Sequence, residues 1–367
     1  MARHVGLDAH SKNSVFMIQD ENGKQIGEGS VPTSYEGLLR MRSRYELPAG
    51  TRVALESGTM AFFVARRLVE LGLDPVVISA QEVRAKATRP NQKSDRRDAI
   101  ELCEGLRRDI YRSIVHVPSE SIERLRATLG RRRHFVRIRT TQVNAVKRLL
   151  RAAGLPMSSQ RLQVESSWKK LLSALASLDP TLHHFCIAHH AVWQCAHAQV
   201  ARLEQLLREQ QGLFQSDVDR LRTVPGVGPV VALTVIAAFS DVRRFPSAKH
   251  AASYAGLVAS TFDSGERVQH GHITRRGSNE LRAMLCEAAH HAWRRSHPLQ
   301  PYFSRLCARR GYKMAVVAVA HRLCRIMYSM LRHGTDFDLT RVAVEHGDFE
   351  RKTVHHYRLK TRAAKTA

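Results

Sequence analysis

Two aspartates, Asp95 and Asp98, lie three residues apart in the arginine-rich segment "KSDRRDAIEL". On a helix this spacing places both carboxylates on one face. Asp8 ends the first apolar run of the sequence, and Glu56 ends a later one. Carboxylate oxygens, with water and substrate phosphate, are the ligands that Mg²⁺ or Mn²⁺ prefers. The four acids therefore predict a site for one or two such ions, which would assist phosphoryl transfer.

Each of these acids also has an ordinary structural interpretation. Asp95 fits the N-cap of a helix, and Asp98 fits an ion pair with a neighbouring arginine. A single acid of this kind is more often a cap or a surface residue than a ligand. The set favours the metal site, because the ends of strands one and four converge if these strands are neighbours in a sheet.

Ser264 lies before Gly265 in a polar segment of the sequence. Basic groups beside it could stabilise the charge of a phosphoryl transition state. The basic residues that follow it in the sequence include His270, His272, Arg275 and Arg276. A serine before a glycine in a polar segment is usually a turn residue, and the spacing alone does not separate the two interpretations.

The charge of the chain points to a polyanion. Its 367 residues carry 58 Lys and Arg against 33 Asp and Glu, a formal charge of +25. Nucleic acid is the leading partner for such an excess.

No membrane partner is predicted, because no uninterrupted apolar run approaches the ~18–20 residues that span a bilayer. The N-terminus lacks the apolar core of a signal peptide. The six cysteines include no C-x-x-C pair, which favours a cytoplasmic protein with reduced thiols.

Residues 1–115 predict an α/β domain. Three strands, two of them joined by an Asn-Gly hairpin turn, precede the order helix, strand, helix, strand, helix. Thr33 and Glu36 form a capping-box pattern before the first of these helices. The fourth strand ends at Glu56.

Residues 116–215 predict a basic helical region with a long amphipathic or coiled-coil helix. The stretch 124–151 contains no acidic residue. A solvated helix face usually mixes both signs of charge, so we interpret this stretch as a surface that binds nucleic acid. Its most concentrated charge is Arg131, Arg132 and Arg133.

Residues 216–340 predict a mostly helical third domain, and residues 341–367 a basic tail. The segment "PGVGPVVA", residues 225–232, resembles a helix-hairpin-helix motif. Gly226 and Gly228 would let backbone N–H groups approach a phosphate, next to a helix N-terminus that favours an anion. A tight turn between two packed helices is the alternative.

Six segments in series resemble the DEDD transposases of bacterial insertion sequences, the IS-one-ten family. They read "VGLDAH", "LES", "KSDRRDA", "VPGVGPVVA", "YAGLVASTFDSG" and "GHITRRGSNELR", and the similarity as a whole spans about residues 3–335. The resemblance implies an RNase H-like N-terminal domain, similar to Holliday-junction resolvases. It also implies a helical coiled-coil region and a mostly helical C-terminal transposase domain.

The same resemblance implies roles and partners. Asp8, Glu56, Asp95 and Asp98 match the metal-binding carboxylates of the family, and Ser264 matches the serine that becomes covalently linked to DNA. The implied partners are donor and target DNA, a guide RNA encoded by the element, and further copies of the chain in a dimer or tetramer. The implied location is the bacterial cytoplasm.

The sequence departs from the family pattern around the serine. Many relatives have proline at the position of Ala259 and a Ser-Ser-Gly sequence where this chain has Asp263-Ser264-Gly265. Asp263 has no hydroxyl, so the departure singles out Ser264. Two other functions stay open at this point: a hydrolytic, junction-selective endonuclease that uses the carboxylates alone, and a nucleic-acid-binding protein without enzymatic activity.

Overall fold

The computed structural model describes residues 2–87, 94–155, 162–264 and 267–338, without the side chains of residues 261–270. The chain divides into two compact units, Met1–Ser119 and Glu120–Ala367. The first is α/β and the second is mainly helical. This confirms the predicted contrast between an α/β N-terminal part and a helical C-terminal part.

The first unit has the predicted order of strands and helices, with one addition. Its elements are β1 (Arg3–Ala9), β2 (Asn13–Asp20), β3 (Gln25–Pro32), α1 (Tyr35–Arg44), β4 (Arg52–Glu56), α2 (Ala61–Glu70), β5 (Asp74–Ile78), α3 (Ala80–Lys86) and α4 (Asp95–Arg107). The short helix α3 lies in a segment that we expected to be a loop. The predicted N-cap of α1 is wrong by one residue, because the side chain of Ser34, not Thr33, accepts the hydrogen bond from the Gly37 amide.

The five strands form one sheet in the order β3-β2-β1-β4-β5. Strands β1, β2 and β3 pair antiparallel, whereas β1, β4 and β5 run parallel. Strands one and four are therefore neighbours, as the convergence of their ends required. Leu7 pairs with Leu55 in the shared ladder.

The alternation of side chains along β1 and β4 separates core residues from site residues. Leu7 and Leu55 are fully buried in the core that includes α1 and α2. Gly6 lies on the opposite face, beneath α4. Successive side chains of a strand point to opposite faces, so Asp8 and Glu56 share the α4 face with Gly6.

Gly6 lets α4 approach the sheet closely. A Cβ atom at this position would lie 2.1 Å from the carbonyl oxygen of Ala99 and 2.4 Å from the amide nitrogen of Cys103. The Cys103 thiol also lies 3.2 Å from the carbonyl oxygen of His4 and donates to it. The helix that carries Asp95 and Asp98 is therefore fixed against the strand that carries Asp8.

We predict that Gly6→Ala destabilises the first unit, because the added methyl group must push α4 away from β1. Overpacking of this kind costs about 1–3 kcal/mol. Thermal denaturation measures the loss of stability. Gly58→Ala is the matched control, since the nearest atom to its new Cβ would be 4.0 Å away. A Gly6→Ala protein with the melting temperature of the wild type would contradict the prediction.

The second unit consists of helices and one β-hairpin in its described part. Its elements are α5 (Glu120–Ala152), α6 (Glu165–Leu178), α7 (Pro180–Gln211), α8 (Gln215–Arg222), α9 (Pro229–Phe239), α10 (Ala248–Tyr254), β6 (Ala259–Ser264), β7 (Arg267–Ile273), α11 (Asn279–Ala289), α12 (Gln300–Arg310) and α13 (Tyr312–His333). The long helices α5 and α7 pack against each other, in agreement with the predicted helical region. The hairpin of β6 and β7 was not predicted.

Helices α9 and α13 supply much of the core of the second unit. Every residue of α9 from Ala232 to Phe239 is buried. By length and composition alone α13 would suffice to cross a membrane, but half of its apolar stretch is buried inside the unit. Its buried residues join the same core as those of α9, which is the pattern of a core helix.

Candidate active site

Asp8 and Glu56 lie at one edge of the first unit's sheet. Leu7 and Leu55 are in register in the parallel ladder of β1 and β4, and each acid is the next residue along its strand. Both acids are half-buried. Their side chains share the α4 face, so the sheet holds two carboxylates side by side beneath the start of that helix.

Helix α4 begins at Asp95 because Ser94 caps it. The Ser94 side chain accepts a hydrogen bond from the Arg97 amide over 3.3 Å. Ser94 therefore has the capping role that the alternative interpretation gave to Asp95. Asp95 and Asp98 both occupy the first turn, where the helix dipole favours negative charge. Arg96, between them in the sequence, pairs with Glu28 over 2.8 Å.

The structure brings Asp8 and Asp95 together through His10. The Nε2 atom of His10 lies 2.9 Å from Oδ2 of Asp8 and 3.3 Å from Oδ1 of Asp95. One ligand atom from each of the three residues lies within 4.8 Å of the other two. His10 was not singled out in the sequence, although its position two residues after Asp8 in "LDAH" was a usable signal.

A short chain of hydrogen bonds fixes the backbone of His10. The Thr33 hydroxyl donates to the carbonyl oxygen of His10 over 2.7 Å and lies 2.8 Å from the hydroxyl of Ser14, which is fully buried. The His10 amide donates to the carbonyl oxygen of Asn13 over 3.2 Å. Thr33, predicted as a helix cap, instead positions the loop that carries His10.

The donor set fits a divalent cation. The carboxylates of Asp8 on β1 and Asp95 on α4 meet at one sheet edge, and a hard cation such as Mg²⁺ or Mn²⁺ takes such oxygen ligands. The side chains of Asp8, His10 and Asp95 are 15%, 47% and 56% exposed. A substrate phosphate and water can therefore reach the same point.

Ser264 is the last residue of β6 and pairs with Arg267 at the start of β7. Its backbone therefore lies beside the turn of the hairpin. The side chains of Ser264 and His270 belong to the range that the structure does not describe. His272 is exposed, and its carbonyl oxygen accepts a hydrogen bond from the Ser260 hydroxyl over 2.9 Å.

Two glycines fix the base of this hairpin. A Cβ atom on Gly277 would lie 2.1 Å from the carbonyl oxygen of Tyr254, and one on Gly256 would lie 2.5 Å from that of Arg276. The guanidinium of Arg282 donates to the carbonyl oxygen of Ala255 over 3.1 Å. The chain that follows β7 is thus locked against the end of α10.

Arg275 and Arg276 lie just after β7, next to this locked base. Both are exposed, and Arg275 adopts a left-handed backbone with φ of 53°. Non-glycine residues are uncommon in this region of backbone conformation. Two guanidinium groups are thus presented to solvent on a rigid support.

The three consecutive arginines of α5 differ in their surroundings. Arg131 and Arg133 are exposed. Arg132 pairs with Glu204 of α7, with N–O distances of 2.6 Å and 2.9 Å. Arg132 therefore holds α5 against α7, and the nucleic-acid interface stays a prediction that rests on its two neighbours.

The segment from 225 to 232 contains part of the turn between α8 and α9 and the first turn of α9. Gly226 has φ of 83°, and a Cβ atom there would lie 2.9 Å from Cβ of His291. Gly226 is thus needed for an internal contact as well as for the turn. Within the described residues, a Cβ atom placed on Gly228, just before the N-terminus of α9, would have no neighbour within 4 Å. The predicted contact with phosphate is untested by this geometry.

His297 forms a hydrogen bond to the turn between α8 and α9 from the interior of the second unit. It is buried, its Nε2 lies 3.0 Å from the carbonyl oxygen of Pro225, and its Nδ1 accepts from the Leu299 amide over 3.1 Å. Burial lowers the pKa of His297. A neutral ring that donates from Nε2 and accepts at Nδ1 satisfies both hydrogen bonds.

Two family models match this chain. A model described as a transposase, for the DEDD domain of the IS110 group, matches residues 5–154. A second, described as "Transposase IS116/IS110/IS902 family", matches residues 218–304. The first match contains all four predicted carboxylates, and the second contains Ser264.

Curated proteins agree with the two models. A Pseudomonas aeruginosa protein named "Probable family 20 transposase" is 29% identical, over 77% of this chain and 84% of its own length. The transposase for insertion sequence element IS1111A of Coxiella burnetii is 25% identical, over 72% of this chain and 73% of its own. The pilin gene-inverting protein of Moraxella bovis is 31% identical, over 32% of this chain and 38% of its own.

These matches define the class of enzyme as a DNA transposase. Within that class, the chain belongs to the IS110/IS116/IS902 family of insertion-sequence transposases. The resemblance found in the sequence motifs is thereby confirmed.

Proposed function

We propose that this transposase exchanges DNA strands through a covalent phosphoserine intermediate. Asp8, Glu56, Asp95 and Asp98 hold Mg²⁺ or Mn²⁺, and Ser264 is the nucleophile. The observation that carries the proposal is the meeting of Asp8 and Asp95, from a strand and a distant helix, at one sheet edge.

The N-terminal domain is RNase H-like in this proposal. The mixed sheet order, with an antiparallel β3-β2-β1 half and a parallel β1-β4-β5 half, supports it. The proposed divisions of the chain are residues 1–115, 116–215, 216–340 and 341–367, for the RNase H-like domain, the basic helical region, the serine domain and the basic tail. The tail lies outside the described residues.

Phosphoryl transfer to the serine needs a nucleophile and a group that stabilises the negative charge of the transition state. A bound divalent ion would neutralise charge on the phosphate oxygens of the transition state. The Ser264 oxygen forms a bond to phosphorus while the bond from phosphorus to the leaving sugar oxygen breaks, and the proton lost by the serine hydroxyl ends on the sugar oxygen as a free hydroxyl. The new phosphodiester keeps the energy of the old one, so a hydroxyl of another DNA end can reverse the step and join a new strand.

The two halves of this site lie in different units of the chain, the carboxylates in the first and Ser264 in the second. We propose that the carboxylates of one protomer act with the serine of another, in a dimer or tetramer on donor and target DNA. The requirement for two protomers would prevent one chain from cutting DNA alone. The protein acts in the bacterial cytoplasm, where its DNA is.

Strand exchange, rather than hydrolysis, is favoured by the name of one relative. The Moraxella bovis protein is named for inverting a gene. Inversion rejoins every DNA end that it cuts, which a hydrolytic endonuclease does not do. In this chain a guide RNA encoded by the element would pair with the DNA and supply sequence specificity.

A trapped adduct tests the function directly. Full-length protein is incubated with a nicked DNA substrate and Mg²⁺ or Mn²⁺, and the products are separated on a denaturing gel. A protein–DNA adduct whose linkage maps to Ser264 supports the proposal. Cleaved DNA without any adduct would instead identify a hydrolytic endonuclease.

We predict that the exposed arginines of α5 contact the nucleic-acid backbone rather than bases. Joint replacement of Arg131 and Arg133 by Gln should weaken binding to all sequences alike. The slope of log K against log salt should become shallower by about 0.9 for each phosphate that the protein no longer neutralises. Filter binding or fluorescence anisotropy across a salt series measures both effects.

Arg132→Gln is the matched control, since this side chain already pairs with Glu204. It should lower thermal stability and leave the salt slope unchanged. A double variant of Arg131 and Arg133 that alters sequence preference at an unchanged slope would contradict the prediction.

A further inference from the structure

We propose that His10 is a nitrogen ligand of the metal centre and makes the centre select Mn²⁺ over Mg²⁺. This inference rests on the proposed function, since it needs the carboxylate centre to bind a metal. It adds a residue outside the four carboxylates and names the ion that the site prefers.

The distances around His10 suit adjacent ligands of one ion. Octahedral ligands at about 2.1 Å from a metal lie about 3 Å from their nearest neighbours. The His10 Nε2 atom lies 2.9 Å from Oδ2 of Asp8 and 3.3 Å from Oδ1 of Asp95. All three ligand atoms lie within 4.8 Å of one another. An ion beside the three atoms could therefore bind them together with little movement of the side chains.

His10 is also held in place before any ion binds. Its carbonyl oxygen accepts from Thr33, which is anchored to the fully buried Ser14, and its amide donates to Asn13. These bonds restrain the turn between β1 and β2 from both sides of the residue. A ligand restrained in this way loses little conformational freedom on binding.

The imidazole nitrogen of His10 is the ligand for which Mn²⁺ and Mg²⁺ differ in affinity. Mg²⁺ takes oxygen ligands and water almost exclusively. First-row transition ions accept imidazole, and among them Mn²⁺ is the one best suited to carboxylate ligands. A centre of carboxylates and one imidazole therefore discriminates against Mg²⁺, whereas four carboxylates alone would serve both ions.

The test measures binding rather than recombination. Full-length protein is freed of metal by chelation and titrated with Mn²⁺ at constant pH, and free Mn²⁺ is followed by electron paramagnetic resonance. Electron spin-echo modulation of the bound ion then reports a coordinated imidazole nitrogen. Competition with Mg²⁺ gives the selectivity.

The variants are His10→Asn, His10→Gln and Asp8→Asn, and the control is His250→Asn, which replaces an exposed histidine bonded to Ser247.

We expect nitrogen modulation in the wild type and in His250→Asn, and none in either His10 variant. Loss of the ligand should weaken Mn²⁺ binding about 10- to 100-fold, by analogy with other losses of metal-site support, and should leave Mg²⁺ binding nearly unchanged. Circular dichroism of the His10 variants should match the wild type, since the side chain is half exposed.

Other outcomes separate the inference from the proposed function. Mn²⁺ that binds the wild type but not Asp8→Asn, without nitrogen modulation, would overturn the role of His10 and leave the carboxylate centre standing. Tighter Mn²⁺ binding in His10→Asn would also overturn it, since His10 would then compete with the metal for the carboxylates. Equal Mn²⁺ binding by wild type and Asp8→Asn would overturn the proposed centre itself.

Discussion

Asp8→Asn should abolish DNA strand exchange while the protein stays folded. The substitution keeps the size of the side chain and removes the charge that a divalent ion requires. Metal stabilisation of a phosphoryl transition state is worth several kcal/mol, so the rate should fall on the order of 10³-fold or more. Recombination of a plasmid that carries the ends of the element, in the presence of Mg²⁺ or Mn²⁺, measures the loss.

The thermal stability of Asp8→Asn should change in a defined direction. Without metal, the variant should melt at or above the temperature of the wild type, because repulsion between neighbouring carboxylates is reduced. Added metal should raise the melting temperature of the wild type but not that of the variant, since only a folded site that binds the ion is stabilised by it.

Asp109→Asn is the matched control within the same unit. Asp109 is exposed and pairs with Arg112 over 3.2 Å, and surface pairs of this kind contribute about 0–1 kcal/mol. Its left-handed backbone, with φ of 49°, is one that asparagine accepts readily. Recombination by this control should equal that of the wild type. Wild-type recombination by Asp8→Asn in Mg²⁺ would overturn the metal centre.

Ser264→Ala should eliminate the covalent protein–DNA adduct and with it all strand exchange. The neighbouring Asp263 cannot take over, because it lacks a hydroxyl. The loss should be complete within detection on a denaturing gel, whereas DNA binding in the absence of chemistry should persist. An adduct that maps to another residue would overturn the assignment.

Ser260→Ala serves as the control on the same strand. The Ser260 hydroxyl only bridges the hairpin, by donating to the carbonyl oxygen of His272, so its removal should cost about 1 kcal/mol of stability and leave the adduct intact. A mixture of Asp8→Asn and Ser264→Ala proteins should partly restore the adduct if the site is shared between protomers. No restoration would indicate a site built within one chain.

The sequence alone was sufficient for several features of this transposase. The apolar runs that end in Asp8 and Glu56 determined two strands and the place of each acid, because a strand's alternation decides which side chains enter the core. The spacing of Asp95 and Asp98 determined that both lie on one helix face. The series of motifs identified the family, since several short patterns in a fixed order are far more specific than any one of them.

Some features needed the packed structure, because they depend on which segments become neighbours. The sequence offered Asp95 as a cap of α4 and Thr33 as a cap of α1, whereas Ser94 caps α4 and Thr33 donates to the His10 carbonyl. Local patterns cannot decide this, because serine, threonine and aspartate can all act as N-caps. Arg132 looked identical to Arg131 and Arg133 until α7 placed Glu204 beside it. Local sequence does not specify such a partner.

His10 shows most clearly the difference between what the sequence determines and what the packed structure decides. Its sequence position, two residues after Asp8, placed it near one carboxylate only. The approach of α4 to β1, which the bare backbone of Gly6 permits, brought Asp95 to the other side of its ring. The sequence thus determined on which strand or helix each candidate residue lies. The contact between a helix and a strand far apart in the chain decided which of them could act together, because a ligand site needs three or more side chains at one point in space.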